Sequence, residues 1–413
     1  VDGSVPMAKI IQQRKRRYLA VYRNKIDNVK VKWDTNAITP GTEFMKKLDT
    51  YFGKNVSSPS VIYSGSDNCG EGEHKIFEYL EGDNMTCVIN GLDADLIILS
   101  LMSQRQNIYL MREDHETIYV SIDNLRKAII RELTVKWGIE DIDDEISKDI
   151  IESYCVMCSL MGNDFIPHLL TLNFKSNGYE KLITFTGKSI KNKGLLVSKE
   201  KINYDTLIDI FQQLHITEDQ DICHETEKYI KQYFNGETQP SEYYGYKNKA
   251  VFAKSIYANV QKWRTIYYKQ LFDTNILTST TVVRQSCEQY IFGIYWTYNY
   301  YKKFDYDNSW YYPYQYPPTV KDIYNYTIGN KFPIMIDKKI IISTDVQLMI
   351  VLPRESKDLV NKKYAKFYEK DTSCLYHLYP REYIIQTFLR KHLWECEPVL
   401  PIVNLAHVIK YIK

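Results

Sequence analysis

The chain alternates short β-type runs with longer stretches of helical character. Val61–Ser64 and Met85–Asn90 are rich in apolar and β-branched residues and end in polar turns, and Ile108–Met111 reads as another strand. Ala8–Lys25 is built from good helix formers without Gly or Pro, which predicts a helix. Lys75–Glu81 continues as a helix after Gly70-Glu71-Gly72-Glu73, and Ile151–Met161 reads as a buried helix. Such alternation argues for an α/β fold with a mostly parallel sheet and helices on both faces. Ligands of such sheets gather outside the carboxyl ends of the strands, where the acidic turns at Asp2, Asp93 and Asp95 are expected. An α/β core is therefore expected over 1–171. From about Leu172 to Lys249 the pattern fades and polar residues increase, which reads as a linker with peripheral helices. A second ordered region is expected over 250–413, helical first. It then reaches an unusual segment: 12 of the 22 residues from Tyr295 to Tyr316 are aromatic.

Composition changes this picture little. With 413 residues, 44% of them apolar, the chain can bury a substantial core in two or three domains, or in one large α/β core with an elaborate second lobe. The formal charge of +2 does not announce a polyanion partner, but Val1–Lys32 holds nine Lys or Arg against two Asp. That excess suits either nucleic acid or a solvated helix face. Of the eight cysteines only Cys155 and Cys158 have metal-like spacing. No second CxxC or paired His follows, and in a buried helix both serve as small apolar residues. Free thiols in a chain of this size point to a reducing compartment, and no apolar run is long enough for a membrane span.

The candidate chemistry lies in carboxylates: Asp2, Glu71, Glu73, Asp93, Asp95 and Asp164. Phosphodiester hydrolysis needs a stabilised attacking oxygen and a stabilised leaving oxygen, which a pair of divalent cations supplies. Mg²⁺ or Mn²⁺ takes oxygen ligands, mainly carboxylate and water. Each acidic turn alone is more often a solvated loop or a helix cap. The setting favours ligands: Asp93 and Asp95 lie between the apolar runs Cys87–Ile89 and Leu96–Leu99, and Asp164 precedes Phe165-Ile166-Pro167. Carboxylates so near a core need a cation or hydrogen bonds. A second constellation lies on the first helix. Lys9, Gln13, Arg16 and Arg17 fall on one face and offer cations and an amide donor, suited to a terminal phosphate or to an ordinary basic surface.

Seven segments resemble the XRN family of 5'→3' exoribonucleases in wording and order. They are VDGSVPMAKIIQQRKRRY at 1–18, WDTNAITPGTEFM at 33–45, GEGEHKIFEYL at 70–80, GLDADLIIL at 91–99, MGNDFIPHL at 161–169, SWYYPYQYPPTVKDI at 309–323 and QLMIVLPRESKDL at 347–359. The resemblance implies a PIN-like nuclease core, with the second region packed on it as an RNA-channel lobe. It implies a metal pocket with two Mg²⁺ or Mn²⁺ ions on Asp2, Glu71, Glu73, Asp93, Asp95 and Asp164. It also assigns a 5'-phosphate site to Lys9, Gln13, Arg16 and Arg17. The expected activity is processive removal of mononucleotides from single-stranded RNA with a 5'-monophosphate, by a monomer in the cytoplasm or nucleus, or in host cytoplasm for a viral member. From the aromatic segment, Trp310 is the candidate for base stacking.

Two departures stand out. A segment before Asp2, which in the family supplies a strand, a further Asp and a base-stacking His, is not part of this sequence, and the active form is expected to include it. Where the family often has a second Trp, two residues before Trp310, this chain has Asn308. The competing readings are a flap-endonuclease-type 5' nuclease and a catalytically inactive RNA-binding relative.

Overall fold

The computed structural model describes residues 1–412 except 57, 83–84, 92, 114, 235–248, 331–337, 370–372 and 391. Its elements follow in the order α1 (Met7–Ile26), α2 (Glu43–Asn55), α3 (Gly72–Tyr79), β1 (Cys87–Asn90), α4 (Ala94–Met102), β2 (Ile108–Glu113), β3 (Thr117–Ser121), α5 (Ile122–Trp137), α6 (Asp144–Ser159) and α7 (Gly178–Lys193). A two-stranded ribbon, β4 (Val197–Ser198) and β5 (Lys201–Ile202), precedes α8 (Tyr204–Phe234), α9 (Lys249–Tyr257), α10 (Trp263–Leu271), α11 (Thr281–Lys302), α12 (Val320–Gly329) and α13 (Thr344–Val351). The chain ends with α14 (Lys366–Glu369), a second ribbon of β6 (Ile385–Gln386) and β7 (Glu397–Pro398), and α15 (Leu405–Ile412).

The fold is α/β, with a small sheet flanked by many helices. Among the described residues that sheet has the order β1-β2-β3. β1 pairs in parallel with β2, Cys87 opposite Ile108, and β3 closes antiparallel on β2. It is smaller than the sequence pattern suggested. Val61–Ser64 forms no strand, and Met85–Asn90 shortens to Cys87–Asn90. The apolar run after Asp95 belongs to α4, because Asp93 caps that helix: its side-chain oxygen accepts from Leu96 N at 2.8 Å. The turn that carries Asp93 and Asp95 thus leaves the carboxyl end of β1.

Within the segment read as linker and peripheral helices, α7 and α8 are not peripheral, and its residues 235–248 lie outside the described residues. α8 is a 31-residue helix, and its Leu207, Ile210, Phe211, Leu214 and Ile222 lie in the main core with Leu182 and Ile183 of α7. Glu218 interrupts that apolar stripe. It is buried, and its carboxylate accepts from the backbone N–H of Val320 at 2.6 Å and of Lys321 at 2.9 Å, capping α12.

α1 joins two cores. Ala8 packs in the main one, whereas Val5, Met7 and Ile10 pack in a second one with α13, Tyr364, Tyr379 and α15. Buried Arg14 donates to the carbonyls of Leu378 and Pro401, fixing the helix to the C-terminal region. Asn308 also holds α1. Its carbonyl accepts from Met7 N at 2.9 Å, and its side chain bonds both the N–H and the carbonyl of Ile340. Cys155 and Cys158 lie on α6, where burial pushes both thiols up, Cys158 to about 12.

Candidate active site

Three chain turns carry the carboxylates. The first is tied to the start of the chain. Gly3 N donates to Gly70 O and Gly70 N to Ser4 O, each at 2.8 Å, and Asp2 Oδ1 accepts from Gly72 N at 2.7 Å. A Cβ on Gly3 would lie 1.6 Å from the Asn68 carbonyl oxygen, so only glycine allows this approach. Gly70 turns the chain at φ +101°. Glu71 occupies the N-cap position of α3, with Glu73 in its first turn. The second turn follows β1 and carries Asp93 and Asp95. The third follows α6, where Asn163 Oδ1 accepts from Phe165 N and Ile166 N and so turns Asp164 outward from the core.

These turns meet at Lys9. Its ammonium lies 2.7 Å from Glu71 Oε2, 2.9 Å from Asp164 Oδ2 and 3.7 Å from Asp95 Oδ2. Burial opposes its charge, but Glu71 and Asp164 outweigh this and hold the pKa above its ordinary value. The other oxygens are also held: Tyr300 donates to Glu71 Oε1, and Tyr301 donates to Asp95 Oδ1 at 3.0 Å. Both tyrosines come from α11, some 130 residues beyond Asp164 in the chain. The six acidic residues feel one another. Burial and then Glu71, with Asp93 and Asp95 behind, push Glu73 up to about 8. Burial and then Asp164 push Asp95 up to about 6. Burial raises Glu71, and the charge of Asp2 adds to the rise.

The donor set fits a hard divalent cation. It offers carboxylate oxygens around one point where a positive charge already sits, and burial first, then the neighbouring carboxylates, raises the pKa of Glu71, Glu73 and Asp95, a penalty on their charged forms that a divalent cation would offset. Glu71, Glu73 and His74 each offer a ligand atom within 4.8 Å of the others. His74 was not anticipated from the sequence. It is buried, its Nε2 has no hydrogen-bond partner among the described residues, and its ring packs on Tyr300 at 4.4 Å.

The basic face of α1 does not act as one cluster. Lys9 lies among the carboxylates, while Gln13 sits one turn on and Arg16 and Arg17 two turns on, about 10–12 Å along the axis. Arg16 is exposed. Arg17 is half-buried and donates to Thr39 Oγ1 at 2.8 Å, which gives the Trp33–Met45 segment a role in placing it. Burial, then neighbouring Arg16, lowers Arg17 to about 10. Gln13 Oε1 and Arg17 Nε are buried with no partner among the described residues.

A pocket of about 310 Å³ runs from Asp164 and Phe165 past Gln12, Lys15 and Arg16 to Trp394. A neighbouring pocket of about 290 Å³ shares Arg16 and Trp394 and extends to Arg23. Trp394 is 59% exposed and stacks on His392 at 4.1 Å with planes 4° apart. Trp310 is the opposite case. It is 8% exposed, its indole N–H donates to Gln289, and its ring packs on Phe292 and Trp296. The stacking role expected of Trp310 is therefore corrected: no face of that ring is open to a base. Trp394 is an exposed aromatic surface at the groove, and nothing periodic in its surroundings marked it in the sequence.

Residues 1–114 match the family model of the XRN 5'-3' exonuclease N-terminus, and residues 145–262 and 242–413 match that of the Xrn1 helical domain. The chain belongs to the XRN family. Human 5'-3' exoribonuclease 1 is 25% identical over 99% of the chain, which spans 29% of that relative's length. The Drosophila melanogaster 5'-3' exoribonuclease 2 homolog is 24% identical over 99% of the chain and 59% of its own length. The Schizosaccharomyces pombe 5'-3' exoribonuclease 1 is 31% identical over 48% of the chain and 18% of its length. The first matched region holds α1 and the turns of Glu71, Glu73, Asp93 and Asp95, and the second holds the third turn and the α11 residues Tyr300 and Tyr301. Asp164 falls within the second matched region.

Proposed function

We propose that this XRN chain forms the nuclease part of a 5'→3' exoribonuclease acting on single-stranded RNA with a 5'-monophosphate. The carrying observation is α1 itself. It brings a cation into the carboxylate pocket at one end and offers arginines two turns along, beside a groove that ends at an exposed Trp. In this reading Asp2, Glu71, Glu73, Asp93, Asp95 and Asp164 hold two Mg²⁺ or Mn²⁺ ions. Bound there, divalent cations supply activation of water and charge stabilisation for phosphodiester cleavage.

The chain's own residues do the rest. Arg16 and Arg17, with a flipped Gln13 amide, grip the terminal phosphate through charge-assisted hydrogen bonds, and Arg17 Nε has no partner among the described residues. That grip lies two turns of α1 from Lys9, so the scissile bond would fall near the 5' end. Trp394 stacks on a base of the incoming strand, a contact every base can make, as processive release of mononucleotides requires. Residues 1–171 form the nuclease unit, with α1 shared, and 250–413 the channel lobe. All eight cysteines are free, which supports a reducing setting, cytoplasmic or nuclear, and no described helix is long and apolar enough to cross a membrane.

The test compares 5'-phosphorylated, 5'-hydroxyl and capped forms of one RNA, with Mg²⁺ or with EDTA, using wild type and Asp95→Ala. Mononucleotide release from the phosphorylated RNA alone, lost in EDTA and in Asp95→Ala, is expected. Internal cleavage or indifference to the 5' end would count against the reading.

A further inference from the structure

We infer that Tyr300 and Tyr301 are positioning residues for the carboxylates of the pocket, an inference that rests on the metal-site reading above. The geometry is paired. Glu71 has Oε1 held by the Tyr300 hydroxyl and Oε2 turned to Lys9; Asp95 has Oδ1 held by the Tyr301 hydroxyl and Oδ2 turned to Lys9. Each tyrosine thus takes the outer oxygen and leaves the inner one facing the point where Asp164 Oδ2 also arrives. A carboxylate free to rotate would have to be ordered when a cation binds, and that ordering costs affinity. The hydroxyls remove this cost beforehand, as outer-shell partners of metal ligands do.

The tyrosines can do this because they cannot move. The Tyr300 ring stacks on Trp296 at 5.0 Å with planes 12° apart, meets Phe165 edge-on at 5.1 Å, and carries His74 on another side. Tyr301 is buried between Tyr300 and Phe165. Phe165 follows Asp164 directly, so the same aromatic packing also fixes the third turn. Helix α11 thereby reaches into the acidic pocket without contributing a ligand.

The experiment measures Mn²⁺ binding by the electron paramagnetic resonance of free Mn²⁺, for the full chain and for Tyr300→Phe, Tyr301→Phe and Asp95→Ala, with melting temperatures taken in EDTA. Phe keeps the ring and removes only the hydroxyl. Wild type is expected to bind, Asp95→Ala to lose binding, and each Phe variant to bind about 10-fold or more weakly at a nearly unchanged melting temperature. If Asp95→Ala loses binding while both Phe variants bind like wild type or more tightly, the positioning role is wrong and the metal-site reading stands. If a Phe variant melts lower yet binds Mn²⁺ normally, the hydroxyl is merely structural and the inference fails. If wild type binds no Mn²⁺, the metal-site reading fails and this inference with it. Should Tyr300→Phe not fold, Tyr301→Phe alone decides, because its Asp95 bond is a separate contact.

Discussion

Replacing Lys9 with methionine tests the electrostatics of the pocket most directly. Methionine keeps most of the apolar stem and removes the charge. Lys9 is 12% exposed and lies within 4 Å of three carboxylate oxygens, so its loss leaves Glu71, Asp95 and Asp164 facing one another without a cation. Breaking a buried ion pair by removing one partner costs about 3–5 kcal/mol. For a chain of this size the unfolding entropy is about 0.9 kcal/mol per kelvin, so the melting temperature should fall by about 3–6 °C in EDTA at pH 7.5. The Lys9 pKa lies above its ordinary value, so its contribution persists across neutral pH and would be lost only at higher pH. The pH dependence of the defect comes instead from the carboxylates. Burial and then Asp164 already push Asp95 up to about 6, so at pH 5.5 its protonation relieves the repulsion and the defect should shrink. Mn²⁺ should stabilise Lys9→Met more than wild type, since the ion no longer competes with the ammonium. Scanning calorimetry with EDTA or Mn²⁺, at both pH values, measures all of this. A variant melting within about 1 °C of wild type in EDTA at pH 7.5, or gaining no more than wild type from Mn²⁺, would falsify the claim that Lys9 stands in for a cation.

Further outcomes are expected. Arg16→Ala combined with Arg17→Ala should reduce the preference for 5'-phosphorylated over 5'-hydroxyl RNA; equal losses on both substrates would indicate general backbone binding instead. Trp394→Ala should weaken RNA binding by about 1–3 kcal/mol with little change in melting temperature, because the ring is mostly exposed. Trp310→Ala should instead destabilise the fold by about 3–5 kcal/mol, and the two variants compared by RNA titration and calorimetry separate platform from core. Glu73 is held near 8 against an ordinary value of 4.5, so between those values the folded chain binds more protons than the unfolded one. In EDTA the Glu73 contribution should therefore weaken the fold as pH rises from 5 to 8, whereas Mn²⁺ affinity, measured calorimetrically, should rise over the same range. A flat Mn²⁺ affinity over that window would remove Glu73 from the site.

Much of the site was legible because its residues lie in short, self-contained motifs. Gly70-Glu71-Gly72-Glu73, the Asp93–Asp95 turn and Asp164 each announce a carboxylate next to an apolar run, and local sequence decides that arrangement. The periodicity of α1 was equally plain. What was not legible came from distance and from interrupted patterns. The segment of α8 was read as peripheral because the pattern fades there and polar residues increase, whereas in the fold Glu218 interrupts an apolar stripe. Only the packing of α12 explains a buried carboxylate there, since the helix end it caps is about 100 residues away. Lys9 was grouped with Gln13, Arg16 and Arg17 by helical spacing, which fixes a face but not what stands opposite each turn of it.

The aromatic segment shows the limit of composition as a guide to function. Of the twelve rings in 22 residues, Trp310 was the one singled out for base stacking. Seven of them, Trp296, Tyr298, Tyr300, Tyr301, Trp310, Tyr312 and Tyr316, are buried, and the other five are half-buried. A large ring serves a core better than a groove when its neighbours are also rings, because each buries area on both faces. The functional consequence is indirect. Trp310 packs on Trp296, Trp296 stacks on Tyr300, and Tyr300 holds Glu71. Through that series of contacts a core residue far along the sequence bears on the orientation of a carboxylate near its start. A damaged core at Trp310 should therefore impair the acidic pocket as well as the fold, while leaving the Trp394 surface able to meet RNA. Exposure separates the two tryptophans, and that property belongs to the folded chain.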